Sequence, residues 1–227
     1  MQSQNAEFAA QYGEGCVEFY DQLYRGADPN LINRLCELSA GGRVLELGIG
    51  TGRIALPLAA RGIDVSGIEG SPSMIAKLRA KPGGSRLQVV QGNFADGEID
   101  GPFSLVFAVV STVFLLRSHE EQQRCFNTAA RLLSDHGLFV LENFEPLGAM
   151  PVANNGPINQ QIYLTEKVVE TLNGPRKYRV RLCYATAQQL DEMAEKAGLR
   201  LRERWSDWQR KPYTPSHHMH ISAYVPV

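Results

Sequence analysis

The chain has 227 residues, 44% of them hydrophobic, and a formal net charge of -1 at pH 7. This length is enough for one well-buried domain, and the sequence has no basic run of the kind that nucleic-acid surfaces use. The four cysteines are scattered without a CxxC spacing, which argues against a zinc site and a disulfide framework. No apolar run approaches membrane-spanning length, and the polar N-terminus has no signal core. We therefore expect a cytoplasmic protein with a small-molecule partner, no nucleic-acid partner and no membrane partner.

Helical and strand patterns alternate over the first two thirds of the chain. Helices are predicted over residues 17–38 (interrupted at 26–29), 53–61, 71–81 and 119–133. Short, apolar strands are predicted over residues 43–47, 63–68, 87–90, 103–110 and 137–143. This alternation is typical of a parallel sheet that helices cover on both faces.

The pattern changes after Pro151. Two alternating stretches within residues 158–184, joined by Asn173-Gly174-Pro175, predict an antiparallel hairpin. A helix over residues 186–197 is closed by Gly198, a glycine typical of a helix end. Two last strands are predicted over residues 200–208 and 218–225. The chain therefore combines a seven-stranded, mostly parallel sheet that has an antiparallel last strand with a small antiparallel hairpin insertion.

The first strand runs into a turn with glycine at every second position, Gly48, Gly50 and Gly52. Ligands of open parallel sheets bind beyond the carboxyl ends of the strands, and glycines let a ligand approach the backbone. The dinucleotide fingerprint needs glycine at its first, third and sixth positions, but the sixth position from Gly48 is Arg53. Glu69 ends the second strand about twenty residues on, where a carboxylate accepts hydrogen bonds from ribose hydroxyls. The pattern predicts an adenosyl cofactor and leaves a nicotinamide dinucleotide open.

Several motifs in chain order resemble those of the class I S-adenosylmethionine-dependent methyltransferases. They are ELGIGTG, IEGSPSMIAKLRAK, QGNFAD, and the two strand regions FSLVFAVVSTVFLL and LLSDHGLFVLENF. The resemblance spans roughly residues 12–145 and is to the small-molecule N- and O-methyltransferases. It implies a Rossmann-like, doubly wound α/β fold, S-adenosyl-L-methionine as methyl donor and S-adenosyl-L-homocysteine as product. The implied reaction is in-line methyl transfer to a nitrogen or oxygen of a small metabolite.

The resemblance also assigns cofactor contacts along the chain. The implied set is Tyr12, Tyr20, Arg25, Glu46, Gly48, Gly50, Gly52, Glu69, Gly70, Ser71, Met74, Asn93, Phe94, Val110 and Ser111. Glu46 and the glycines would receive the methionine part, and Glu69 both ribose hydroxyls. Asn93, where many relatives carry aspartate, and Phe94 would meet the adenine edge. Arg25 would bind the cofactor carboxylate by a charge-assisted bond.

The remaining implied contacts enclose the cofactor. Gly70, Ser71 and Met74 would lie against the adenosine, and Val110 and Ser111 would form the floor beside the sulfonium. We expect one domain over residues 1–227. Within it, residues 1–40 would form a helical N-terminal lid and residues 151–185 a substrate-side insertion.

A general base is needed only when the methyl acceptor is protonated. We single out His220 and Glu145 as candidate catalytic residues. Other candidates for a base are Glu142, Asn143, His119, His217 and His218. Because His217 and His218 point apart on a strand and lack acidic or cysteine neighbours, we expect no metal. Aromatic residues expected to line the substrate pocket are Tyr12, Tyr20, Phe114, Phe144 and Trp208.

Two other functions are compatible with the sequence. A nicotinamide-dependent oxidoreductase would explain the glycine turn and Glu69, although Arg53 stands at the sixth position of the fingerprint. A non-methylating cofactor-binding protein or a cyclase could also use this fold, because fold does not fix function. The sequence leaves a homodimer open.

Overall fold

The computed structural model describes residues 12–146, 161–171 and 174–227. Nine strands are present in these ranges. Their bounds are Val44–Leu47 (β1), Val65–Glu69 (β2), Gln88–Gln91 (β3), Phe103–Ala108 (β4), Leu133–Phe144 (β5), Ile162–Thr171 (β6), Gly174–Cys183 (β7), Leu199–Trp205 (β8) and Met219–Pro226 (β9). Residues 1–11 of the predicted lid, residues 151–160 of the predicted insertion and Asn173 of its turn lie outside the described residues.

Seven strands form one sheet in the order β3-β2-β1-β4-β5-β9-β8. The β1–β2, β2–β3, β1–β4 and β4–β5 pairs are parallel, and β9 is antiparallel to both of its neighbours. The chain crosses back at β1 to place β4 beside it, so the carboxyl ends of β1 and β4 border the switch point where such sheets bind ligands. The predicted doubly wound α/β fold is confirmed, and the β6–β7 hairpin forms a separate two-stranded sheet.

Helices lie between the strands. The described part of the first helix is residues 12–16 (α1). The bounds of the others are Tyr20–Leu23 (α2), Pro29–Leu38 (α3), Ala55–Ala59 (α4), Pro72–Arg79 (α5), His119–Leu132 (α6) and Ala187–Lys196 (α7). Side-chain caps start the better-defined helices: the Asp28 carboxylate accepts from the Asn30 N–H, and the Ser71 hydroxyl accepts from the Met74 N–H. Thr186 starts α7 with a reciprocal capping box. Each cap satisfies a backbone donor that a helix start leaves free.

Several predicted elements are longer than the observed ones, including the strand predicted over residues 200–208, which ends at Trp205, and two elements that border the site. The helix predicted from Arg53 begins at Ala55 and ends at Ala59, because the turn carrying Gly52 continues to the helix start. The strand predicted to Val110 ends at Ala108. Val110 and Ser111 both have φ +58°, a left-handed backbone that cannot continue a strand.

The sheet separates two large apolar clusters. Side chains alternate along β4, so Leu105 and Phe107 pack with α3 and α4, whereas Val106 and Ala108 pack with α6 and α7. A third, smaller cluster joins the N-terminal helices to α5 and the hairpin. Its buried members are Cys16, Phe19, Met74, Tyr178 and Val180. The hairpin is therefore anchored onto the N-terminal segment, above the carboxyl ends of the strands.

Two general features of the described ranges bear on function. No helix within them is long and apolar enough to cross a membrane. They also hold no group of three or more His, Cys, Asp or Glu side chains arranged to bind a metal ion. The four cysteines are free thiols.

Candidate cofactor and active site

Two adjoining cavities lie at the carboxyl ends of β1, β2 and β4. The larger has a volume of about 200 Å³ and the smaller about 50 Å³. Both are lined by Tyr12, Tyr20, Gly48, Thr112 and Leu115. The larger cavity extends over the end of β4 and under the hairpin, and the smaller extends along β2 to the start of α5.

The glycine turn is tightly packed at one glycine and open at another. All three glycines have left-handed backbones, with φ +74° at Gly48, +54° at Gly50 and +79° at Gly52. A Cβ at Gly52 would lie 2.3 Å from the Leu78 Cδ1, and one at Gly48 would lie 2.6 Å from the Thr112 Cγ2. A Cβ at Gly50 would meet nothing closer than a carbonyl oxygen at 3.9 Å. Gly50 therefore presents bare backbone to the smaller cavity.

The Glu69 carboxylate is fixed beside that open backbone. Its two oxygens accept from the backbone N–H groups of Gly50 and Ser71, each at 2.8 Å. Burial raises the pKa of Glu69, and these backbone hydrogen bonds oppose that rise. A carboxylate has about four lone-pair sites, so each oxygen retains capacity for a ligand hydroxyl. The arrangement suits the two hydroxyls of a ribose.

The methionine end of the predicted site holds a carboxylate and a guanidinium. Burial raises the pKa of Glu46 well above its usual range, although the nearby Arg53 and the Ala55 N–H favour the charged form. In the described part of the chain, the Glu46 Oε2 and the Arg53 Nε are buried atoms without a hydrogen-bond partner. Both residues line the larger cavity, whereas Arg25 is exposed and lines neither cavity.

The N-terminal helices are fastened to the cofactor loop by two sets of polar contacts. The Glu14 carboxylate accepts from the hydroxyls of Ser71 and Ser73, each at 2.7 Å. The Asp21 Oδ1 accepts from the Thr51 hydroxyl at 2.6 Å and from the Lys81 ammonium at 2.9 Å. These contacts hold helices α1 and α2 against the glycine turn and the start of α5, and the role of the N-terminal segment as a lid stays a prediction.

Two lid tyrosines line both cavities. Burial raises the pKa of Tyr20 to about 12, against the opposing effect of Arg53. Burial also raises the pKa of Tyr12. Both phenols are therefore neutral at physiological pH and can act as hydrogen-bond donors.

The adenosine end contains most of the residues that the resemblance assigned to it. Gly70, Met74 and Phe94 line the smaller cavity. The Ser71 hydroxyl is committed to the helix cap and to Glu14. The Asn93 Oδ1 accepts from the Ala95 N–H at 2.9 Å, which orders the loop after β3.

The floor of the larger cavity is a strained turn held by one glutamate. Val110 and Ser111 line the cavity in left-handed conformations, which for a β-branched residue costs about 1–3 kcal/mol. The Glu142 Oε2 accepts from the Val110 N–H at 2.8 Å, and its Oε1 accepts from the Trp208 Nε1 at 2.8 Å. The Ser111 hydroxyl accepts from the Phe144 N–H at 3.1 Å. Both Glu142 oxygens are thus engaged, so this residue positions the floor.

The two candidate catalytic residues lie together but line neither cavity. The His220 Nε2 is 3.6 Å from the Glu145 Oε2, and its Nδ1 is 3.0 Å from the Ser222 hydroxyl. Burial, and to a lesser extent the charge of Arg204, lowers the pKa of His220 to about 3. Burial raises the pKa of Glu145. His220 is therefore neutral at physiological pH, and the catalytic role of the pair stays a prediction.

The other candidate bases are not gathered at the cavities. The His119 Nε2 lies 3.0 Å from the Tyr184 carbonyl oxygen, and the His217 Nδ1 contacts Thr214. His218 is exposed. Asn143 is fully buried, and neither its amide oxygen nor its amide nitrogen has a hydrogen-bond partner within the described ranges.

Of the aromatics expected in the substrate pocket, Tyr12, Tyr20 and Phe144 line the larger cavity. Phe114 is buried and packs edge-on against Phe144 at 5.1 Å. Sequence reasoning missed Arg53 as a lining residue, although its place directly after the third glycine puts it next to the cofactor loop. It also missed the hairpin residues that line this cavity, which are Lys167, Val180 and Leu182.

Residues 19–204 match the family model for a methyltransferase domain. The chain belongs to this family. This membership confirms the resemblance to the class I S-adenosylmethionine-dependent methyltransferases, whose donor is S-adenosylmethionine. The methyltransferase fold of the chain is also found in solved structures. The CcbJ methyltransferase from Streptomyces caelestis is 32% identical with a TM-score of 0.83, over 96% of this chain and 99% of that one.

Two further methyltransferases share parts of this similarity. The cypemycin N-terminal methyltransferase of a Streptomyces species is 31% identical over 60% of this chain and 57% of its own length. The glycopeptide N-methyltransferase MtfA, solved with S-adenosylmethionine, has the same fold at 20% identity and a TM-score of 0.65, covering 92% of this chain and 90% of that one. The chain spans about three fifths or less of the curated relatives' lengths.

The residues present fit S-adenosylmethionine. The open space at Gly50 beside Glu69 suits the ribose, since a carboxylate there accepts from hydroxyls. The unpartnered Glu46 oxygen and Arg53 nitrogen of the described chain suit an amino group and a carboxylate at the other end. Donor and acceptor groups are therefore already in place at both ends of the cavities.

Proposed function

We propose that this methyltransferase moves the methyl group of S-adenosylmethionine to a nitrogen or oxygen atom of a small acceptor. The observation that carries the proposal is the open backbone at Gly50 with the buried Glu69 carboxylate fixed beside it. The family match supports the reaction class, and the names of the cypemycin and glycopeptide N-methyltransferases support an acceptor of the nitrogen type.

When bound, S-adenosylmethionine supplies a methyl group carried on a positively charged sulfur. Glu69 would accept hydrogen bonds from the ribose hydroxyls, and Arg53 would bind the carboxylate of the methionine part. The strained Val110–Ser111 turn, which Glu142 holds, would form a rigid wall for the acceptor. The lid tyrosines would exclude water and fix the two reactants together, which lowers the barrier for transfer.

The residues around the larger cavity favour a methyl acceptor that reacts without a general base. Among the described residues, no histidine lines this cavity. A neutral amine attacks through its free lone pair and loses its proton after transfer, whereas a hydroxyl group is a weak nucleophile until a base removes its proton. An amine acceptor therefore fits the lining best, and the released proton can pass to water afterwards.

A methyl-transfer assay tests the proposal. The purified protein is incubated with S-adenosylmethionine and separate panels of primary amines, secondary amines and phenols, and released S-adenosylhomocysteine is measured. We expect release above background with an amine panel, and about tenfold less release from the Gly50→Ala variant at a cofactor concentration below the dissociation constant. Binding of S-adenosylhomocysteine without release in any panel would instead favour a cofactor-binding protein that does not methylate.

A further inference from the structure

The β6–β7 hairpin is positively charged in a chain that is slightly negative overall. Residues 161–183 contain two carboxylates, Glu166 and Glu170, against five cations, which gives a net charge of +3. The cations are Lys167, Arg176, Lys177, Arg179 and Arg181. The whole chain has a net charge of -1, so the remainder of the protein is acidic. Such a local field attracts anions.

The hairpin's two faces differ in how their charges are compensated. Residues opposite each other on antiparallel strands share one face, so the Glu166–Arg179 and Val168–Lys177 pairs lie on the same face. There the Glu166 carboxylate lies 3.1 Å from the Lys177 ammonium and 3.6 Å from the Arg179 guanidinium. The opposite charges on that face therefore largely neutralise one another.

Lys167 lies on the other face. It is opposite Tyr178, which is buried in the cluster that joins the hairpin to the N-terminal helices. This face is turned toward the cofactor loop, and Lys167 lines the larger cavity together with Arg53. No carboxylate of the described ranges is within ion-pair distance of the Lys167 ammonium. The only carboxylate that lines this cavity in the described structure is Glu46, which interacts with Arg53.

The other residues that line the larger cavity indicate what the rest of an anionic ligand would look like. Leu115, Phe144, Val180 and Leu182 give the larger cavity apolar walls. A planar guanidinium matches a carboxylate in a bidentate manner, whereas a lysine ammonium acts as a compact point charge. The two cations can therefore serve two different anionic groups in one cavity.

We propose that Lys167 binds an anionic group of the methyl acceptor, a carboxylate or a phosphate, while Arg53 serves the carboxylate of the cofactor. The acceptor class is thus a small molecule with an apolar body and one anionic end. This inference rests on the proposed function and names the substrate class of the same site.

Anion titrations of the protein saturated with S-adenosylhomocysteine test the inference. Phosphate and acetate are added in turn at constant ionic strength, with chloride as the balancing salt, and backbone amide shifts are followed in ¹⁵N-labelled protein. The variants are Lys167→Gln and the matched control Lys177→Gln, whose residue is exposed and paired on the opposite face. The same spectra report whether each variant is folded.

We expect a saturable shift of β6 amides in the wild type and the Lys177→Gln control. Binding should be about tenfold weaker in Lys167→Gln, which is the loss expected for one charge-assisted hydrogen bond. The stronger of the two anions identifies the acceptor's group. Absence of saturable shifts in the wild type, or equal binding by Lys167→Gln, would overturn the inference.

The affinity for S-adenosylhomocysteine separates this inference from the proposed function. We expect the Lys167→Gln variant to bind that ligand as the wild type does. A tenfold loss would assign Lys167 to the cofactor carboxylate, which overturns the inference but leaves methyl transfer intact. Failure of the wild type itself to bind S-adenosylhomocysteine would refute the proposed function.

Discussion

A pair of glycine-to-alanine variants in the cofactor turn should separate its binding role from its packing role. Gly50 and Gly52 are two residues apart and both have left-handed backbones. A methyl group at Gly50 would enter open space, whereas one at Gly52 would lie 2.3 Å from the Leu78 Cδ1 and 3.0 Å from the Leu56 Cγ. The same chemical change therefore meets two different environments.

The expected losses in the free energy of unfolding follow from that geometry. A left-handed alanine costs about 1–2 kcal/mol, of which about 0.4–1 kcal/mol is offset because alanine restricts the unfolded chain. Gly50→Ala should therefore destabilise the protein by about 1 kcal/mol. Gly52→Ala adds an overpacking cost of about 1–3 kcal/mol, since its methyl group would overlap the fully buried Leu78 side chain. Its total should be about 2–4 kcal/mol.

Urea unfolding measures these losses, and calorimetric titration with S-adenosylhomocysteine measures the binding role. Gly50→Ala should lower the affinity at least about tenfold, because its methyl group occupies the space that the cofactor needs. Wild-type affinity in a folded Gly50→Ala protein would refute the assignment of this turn to the cofactor. Gly50→Ala proving more destabilising than Gly52→Ala would refute the packing argument.

Three further predictions concern titratable groups at and near the site. Glu69→Ala should weaken S-adenosylhomocysteine binding by about 1–3 kcal/mol, as expected when a charged hydrogen-bond partner is lost; calorimetry showing no change would exclude it from the ribose contact. The pKa of Asp21 is lowered because its hydrogen bonds from Thr51 and Lys81 outweigh the effect of burial. The Asp21 carboxylate should therefore stabilise the fold above its usual pKa of about 3.8, and this stabilisation should disappear as the pH falls through the lower folded value. Asp21→Asn should lower the free energy of unfolding at pH 7, and by a smaller amount in acid. Burial lowers the pKa of His220 to about 3 in the folded protein, so between about pH 6.5 and pH 3 only the unfolded chain binds a proton at this residue. The free energy of unfolding should therefore be about 2 kcal/mol lower at pH 5 than at neutral pH. A His220→Gln variant with the same dependence of stability on pH would contradict this.

Local sequence signals were sufficient for the parts of the fold that local chemistry decides. The helices predicted from residue 71 and after the interruption at 26–29 both form, and the side chains of Ser71 and Asp28 cap them. The continuously apolar strands predicted a sheet buried on both faces, as β1 and β2 show. The glycine turn and Glu69 meet in space because β1 and β2 are parallel neighbours, which the same pattern implied.

Features that depend on distant contacts were not predictable in this way. The end of β4 is set by Glu142, which lies on the neighbouring strand and holds the left-handed Val110 in place. The choice between Arg25 and Arg53 depends on how the lid folds back over the turn, and only Arg53 lines the cavity. The contact of Lys167 with the larger cavity depends on the register of the hairpin and on its packing against the N-terminal helices, which together place this residue on the inner face of the hairpin.

Calorimetric titration of the purified protein with S-adenosylhomocysteine, with NADH as the comparison ligand, tests the central claim most directly. Two adjoining cavities, with Glu69 in the smaller and Arg53 in the larger, should together bind S-adenosylhomocysteine with micromolar affinity and give no heat with NADH. Binding of NADH alone, with no S-adenosylhomocysteine binding at millimolar concentration, would contradict the account and assign the glycine turn to hydride transfer.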